Sequence, residues 1–114
     1  MVGNYMNWIS LINSLQVEEI KQKSYQRPQV IFKHSTRCSI SSTVLNRLKR
    51  FVIPDNTDFY YLDLIAHKDI SLKIATDFQV PHQSPQILII KDGSVVYDES
   101  HMAITADKIE EIVS

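Results

Sequence analysis

The sequence predicts a small α/β sandwich in which helices flank a central mixed β-sheet, and three observations carry that expectation. Short β-branched and aromatic runs alternate with amphipathic stretches, at Val30-Ile31-Phe32, Phe59-Tyr60-Tyr61-Leu62 and Ile87-Leu88-Ile89-Ile90. Strands connected by packing helices leave this alternation in a chain. The last run passes through Asp92-Gly93, a two-residue hairpin signal, into Ser94-Val95-Val96-Tyr97. Finally, 114 residues with 44% hydrophobic content suffice for one core and not two. One domain over residues 1–114 is therefore expected.

Each element has its own justification. Ser14 is placed to cap a helix carrying Leu15, Val17 and Ile20, which should end before Arg27-Pro28 because the residue ahead of a proline avoids helical geometry. Gln29-Val30-Ile31-Phe32-Lys33 is apolar without alternation, the pattern of a strand buried on both faces. The polar segment Ser35 to Ser42 leads into Ile40, Val44, Leu45, Leu48 and Phe51, spaced for one helix face. After Pro54-Asp55-Asn56 comes the aromatic strand, then Ile70, Leu72, Ile74, Ala75 and Phe78 on a helix that should stop before Val80-Pro81. Thr105 caps a last helix with Ile109 and Ile112, its acids Asp107 and Glu110 near the start, where the helix dipole favours them. The order is α, β, α, β, α, β, β, α, with the first two strands parallel.

Charge excludes several classes of function. Twelve basic against thirteen acidic residues give a net charge of -1, unsuited to wholesale nucleic-acid binding. No run approaches the roughly twenty apolar residues of a membrane span, and Met1 to Asn13 lacks the basic residues of a targeting leader. A single cysteine forms no internal disulfide, so a reducing cytoplasm is the expected setting. With one Cys and no close pair of His residues, no zinc pattern is present. The balance nonetheless hides an asymmetry: Lys21, Lys23, Arg27, Lys33, Arg37, Arg47, Lys49 and Arg50 fall in a stretch without one Asp or Glu. If the fold gathers these charges, they would attract an anionic ligand; a solvated basic helix face is the alternative.

Cys38 lies inside that stretch, where the first strand passes through a loop into a helix. A sulfur at the first turn of a helix meets unpaired N–H groups and the positive end of the macrodipole, both of which favour the thiolate. Arg37 beside it and the hydroxyl of Ser41 one turn later are candidates to tune that thiolate, the form that attacks disulfides. The competing reading is a buried, inert cysteine. His34, four positions earlier, is a further candidate for proton donation or thiolate stabilisation, against a strand-end histidine directed at solvent. His82 is placed to approach the cysteine, whereas His67 and His101 have no partner in the sequence. Trp8, Tyr60, Tyr61 and Tyr97 read as core or rim.

Cys38-Ser39-Ile40-Ser41 at a helix entrance, a βαβ start, and Ser84-Pro85 opening a strand that leads into a hairpin and a helix resemble the thioredoxin fold. The string Lys33-His34-Ser35-Thr36-Arg37-Cys38-Ser39-Ile40-Ser41, with Asp63 and Ser84-Pro85-Gln86, is similar to the monothiol bacilliredoxin family from about Trp8 to the C-terminus. Members often carry Pro directly after the cysteine, where this chain has Ser39. The resemblance implies a thioredoxin-like domain that removes the small thiol bacillithiol from S-bacillithiolated proteins, with Cys38 as nucleophile and bacillithiol as co-substrate. It implies substrate contacts at Thr36, Ser39, Ser84 and Pro85, with no bound cofactor or metal.

An X-Pro bond is usually trans, cis accounting for ~5% of cases, yet the resemblance implies a cis Ser84-Pro85 bond opposite the cysteine. There the adjoining backbone would hold an extended substrate segment. Since position 41 is Ser, the dithiol route is closed and the cycle must be monothiol. Two rival functions stand beside this one. A monothiol module could share an iron-sulfur cluster between two subunits, although Ser39-Ile40 replaces the Gly-Phe of such proteins. A redox-sensing adaptor would be modified at Cys38 without turnover.

Overall fold

A computed structural model describes residues 8–114 of the expected domain. Its five-stranded sheet has the order β1-β3-β2-β4-β5. The strands are β1 (Ile9–Ser10), β2 (Gln29–His34), β3 (Asp58–Asp63), β4 (Gln86–Lys91) and β5 (Ser94–Ser100); the helices are α1 (Leu15–Lys23), α2 (Ser39–Leu48), α3 (Lys68–Phe78) and α4 (Ala106–Val113). β1 and β2 both run parallel to β3, while β4 is antiparallel to β2 and to β5. The α/β architecture with a mixed sheet is as expected. β1 has no counterpart in the expected order, because two residues are too few to show a periodicity.

The uninterrupted apolar character of β2 and β4 is explained by helices on both faces. Ile31, Tyr60, Leu62, Leu88 and Ile90 pack with Val17, Ile20, Ile70 and Ile74 of α1 and α3. Val30, Phe32, Phe59, Ile87 and Ile89 pack with Val44, Leu48, Ile109 and Val113 of α2 and α4. Every side chain of β2 is buried. Each large apolar side chain so enclosed contributes roughly 1.5–3 kcal/mol relative to exposure, which fixes the strand that leads to Cys38.

Chain punctuation follows the chemistry of the turns. Gln79 ends α3 in the left-handed region, at φ 55, so the helix stops immediately before Val80-Pro81 as expected. The hairpin turn has Asp92 at φ 54 and Gly93 at φ 81, and Ser24 accepts both turn N–H groups, Asp92 through its carbonyl at 2.8 Å and Gly93 through Oγ at 2.8 Å. Thr105 caps α4 by accepting from the Lys108 N–H.

Several expectations need correction. Ser14 precedes α1 but its side chain caps nothing; Asn13 Oδ1 accepts the Leu15 N–H instead, at 2.8 Å. Ile40 and Leu72 are exposed, at 41% and 62%, although their spacing places them on the inner faces of α2 and α3. On α2 the inward position goes to Ser41, and on α4 Val113 is the more deeply buried end residue, with Ile112 packed partly against the core.

Candidate active site

The site forms where β2 ends and β4 begins. Antiparallel register pairs Lys33 with Gln86, so the segment leaving β2 (Ser35 to Cys38) and the one entering β4 (Ser84-Pro85) emerge at the same end of the sheet. The Ser84-Pro85 bond is cis. The Pro85 carbonyl accepts from the His101 N–H at 3.0 Å, in the 3-10 turn His101–Ala103 that follows β5.

Cys38 occupies the N-cap of α2, with extended backbone at φ -111 and ψ 121. Its N–H donates to the Ser35 carbonyl at 3.2 Å and its carbonyl accepts the Ser42 N–H at 3.1 Å. The thiol is free and half-buried. No side chain caps α2 and its first turn has no acid, so the unpaired N–H groups at the start of the helix that Cys38 opens are offset by no anion from that turn. Thr36, Arg37 and Ser39 around it are exposed.

His34 and Ser41 are joined to one another. Ser41 Oγ lies 2.7 Å from His34 Nδ1 and accepts the Ser35 N–H at 3.0 Å. Both residues are buried, and the imidazole stands between Phe32 and Tyr61 with ring centroids 5.9 and 5.7 Å away. Burial lowers the His34 pKa, partly opposed by the negative charge of Asp63. This trio ties the last residue of β2 to the first turn of α2 across the loop that holds Cys38. Ser41→Ala strands a buried imidazole nitrogen and a backbone donor, so we expect a loss of about 2 kcal/mol of stability, measured as a lower urea midpoint at unchanged slope.

The basic stretch is dispersed. Arg27 pairs with Asp58 at 3.3 Å and donates to the Asp55 carbonyl, and Arg47 donates to the carbonyls of Met102 and Ile104 at 3.0 and 2.8 Å. Lys33 is fully buried, and burial pushes its pKa down to about 8. Its Nζ lies 3.4 Å from His82 Nδ1, which lies 3.1 Å from Ser71 Oγ. Above this cluster is a cleft of about 320 Å³ lined by Ser35, Lys68, Ser71, His82 and Ser84, with an apolar wall from Leu64, Ile65 and Leu72. In the sequence Lys33 is legible only as one charge in the basic stretch; its place on the inward Ile31 face of a buried strand is the signal for more. Among the described residues no cluster of three or more metal-ligating side chains occurs.

Comparison with known proteins agrees with this geometry. The family model for the monothiol bacilliredoxin BrxC matches residues 9–109. The chain belongs to the monothiol bacilliredoxin family. A solved structure of a proposed oxidoreductase with a thioredoxin fold is 26% identical, covers 93% of each chain and superposes with a TM-score of 0.80. Thioredoxin from Malassezia sympodialis shares the fold at 14% identity, over 99% of this chain and 92% of that one, with a TM-score of 0.73. Spinach chloroplast thioredoxin f does so at 16% identity, over 99% and 96%, with a TM-score of 0.68. This bacilliredoxin family member is thus a thioredoxin-like thiol oxidoreductase, and its one cysteine makes it monothiol.

Proposed function

We propose that the chain removes bacillithiol from S-bacillithiolated proteins through Cys38. The observation that carries this reading is the free, half-buried Cys38 thiol at an uncapped helix N-terminus, in a family named for this chemistry. The Cys38 thiolate attacks the bacillithiol sulfur, the protein–bacillithiol S–S bond breaks, and the protein departs as a thiolate that takes a proton from water. A second small thiol then attacks the Cys38 adduct, releasing the Cys38 thiolate and carrying the two electrons' worth of oxidation away as a small-molecule disulfide. Thr36, Ser39 and the Ser84-Pro85 backbone flank the incoming disulfide, and Arg37 adds a positive charge to the cysteine loop. The reducing cytoplasm suits this cycle. No helix among the described residues is long and apolar enough to cross a membrane.

The test is intact mass spectrometry of the wild type mixed with a bacillithiolated protein and no reductant. One adduct per chain, with the mass gain of one bacillithiol, is expected, and added free thiol should restore turnover. Recovery of the free Cys38 thiol without any added thiol would overturn the monothiol cycle, and a protein that acquires no adduct would overturn the assignment.

A further inference from the structure

Lys33 is the one lysine whose residue is completely enclosed among those described; it forms no ion pair with a carboxylate there, and burial lowers its pKa. An ammonium has three donors. Here its side chain meets only His82 Nδ1, at a long 3.4 Å, and that nitrogen is shared with Ser71 Oγ. Asp63 is paired in register with His34, not Lys33, and accepts the Ile65 and Ala66 N–H groups at 3.0 and 3.4 Å. A second group is also short of partners, since Ser84 Oγ is enclosed with no hydrogen bond. His82, which covers Lys33, is itself exposed. The cleft holding Ser71, His82 and Ser84 reaches Ser35, whose carbonyl holds the Cys38 N–H, and no acid lines it among the described residues.

We propose that this cleft is a carboxylate subsite for the small-thiol half of the mixed disulfide, with Lys33 Nζ, Ser71 Oγ and Ser84 Oγ as its donors and the imidazole of His82 as a displaceable cover. The inference rests on the reading of Cys38 as acceptor of a small thiol and names which thiols it takes. A carboxylate supplies what the cluster lacks: a negative charge for an unneutralised ammonium and acceptor oxygens for the under-used donors. The cleft is bounded by Ser35, in the loop that holds Cys38, and by Ser84, ahead of the cis proline, so a small thiol bound through its sulfur at Cys38 has this cleft as the neighbouring place for its carboxylate. The Lys21 to Arg50 stretch therefore contributes one buried charge to recognition in this cleft rather than a diffuse field.

The test uses one carrier protein loaded in turn with mercaptosuccinate, which has two carboxylates, and with neutral 2-mercaptoethanol. Rates of adduct formation on Cys38 are read by intact mass. In the wild type the mercaptosuccinate rate should exceed the neutral one about tenfold, and in Lys33→Met the ratio should fall to about one, with Ser84→Ala between them. A wild-type ratio near one, or a ratio that survives Lys33→Met, overturns the subsite. A carrier with Glu beside its cysteine, loaded with 2-mercaptoethanol, separates the sources: a tenfold gain there and none with mercaptosuccinate would assign the subsite to the protein substrate and overturn the proposal. Succinate titration followed by NMR reads binding without chemistry, so it decides the matter even if no thiol transfers to Cys38. Saturable shifts of the His82 ring protons in the wild type, lost in Lys33→Met or weakened in Ser84→Ala, support the subsite; shifts that never saturate overturn it.

Discussion

Cys38→Ser abolishes removal of the small thiol, and the expected folded protein is no less stable than the wild type. Loss of function is complete because the reaction passes through a disulfide to the enzyme, and the chain has no second sulfur from cysteine to form it. Stability moves the other way because of where Cys38 sits. It is the N-cap of α2, with extended backbone and no capping bond, and Ser is among the residues best suited to that position, its oxygen accepting an N–H of the first turn. A gain of up to about 1 kcal/mol in urea denaturation is expected alongside zero turnover in the mass assay. Residual transfer in Cys38→Ser would place the nucleophile elsewhere.

Lys33→Met should stabilise the protein at pH 7 by about 3 kcal/mol, a large effect for one side chain. The folded protein holds this amine at about 8 against 10.5 in the ordinary case, and each unit of pKa corresponds to about 1.4 kcal/mol. The sign follows from proton counting. Between pH 10.5 and about 8 the unfolded chain binds the proton and the folded one sheds it, so wild-type stability declines as pH falls through that window and the penalty is complete below it. Methionine, of similar length and without charge, escapes the penalty. Urea denaturation of both proteins should show curves about 3 kcal/mol apart at pH 7 that converge toward pH 10.5. A destabilised variant would mean that the ammonium is held by interactions stronger than its lost hydration. A charge retained at such cost is the pattern of a residue kept for what it binds.

The fold is legible because its two central strands are apolar on both faces and its turns use residues with one conformational purpose, as at Asp92-Gly93. The position of the thiol is legible because a cysteine between a strand and a helix lands at the helix N-cap. What stays hidden is the identity of neighbours across the sheet. In the sequence His34 and Ser41 each look like a group addressed to Cys38, but their polar atoms face each other at 2.7 Å, a pairing fixed by the rotation of α2 against β2 that no local pattern encodes. Ile40 reads as core for the same reason: its spacing with Val44 is helical, but the first turn of α2 opens toward solvent around the cysteine. The meeting of Lys33, Ser71 and His82 joins a strand, a helix and the segment ahead of β4, so sequence distance conceals it.

The 3-10 turn His101–Ala103 works as a clasp. Its His101 N–H holds the Pro85 carbonyl on one side, while the Met102 and Ile104 carbonyls hold Arg47, in the last turn of the helix that starts at Cys38, on the other. The two halves of the reactive cleft thus share one fastener that belongs to neither and holds them through backbone groups of its own. In engineering terms, this is a poor place to open the chain for circular permutation or to insert a reporter domain. A cut there would unhitch the proline loop and the far end of the cysteine helix together, leaving strands and sulfur intact but the distance between them unset. The hairpin at Asp92-Gly93 lies at the opposite end of the sheet and is held by Ser24 instead, so a cut there would leave both of these tethers in place.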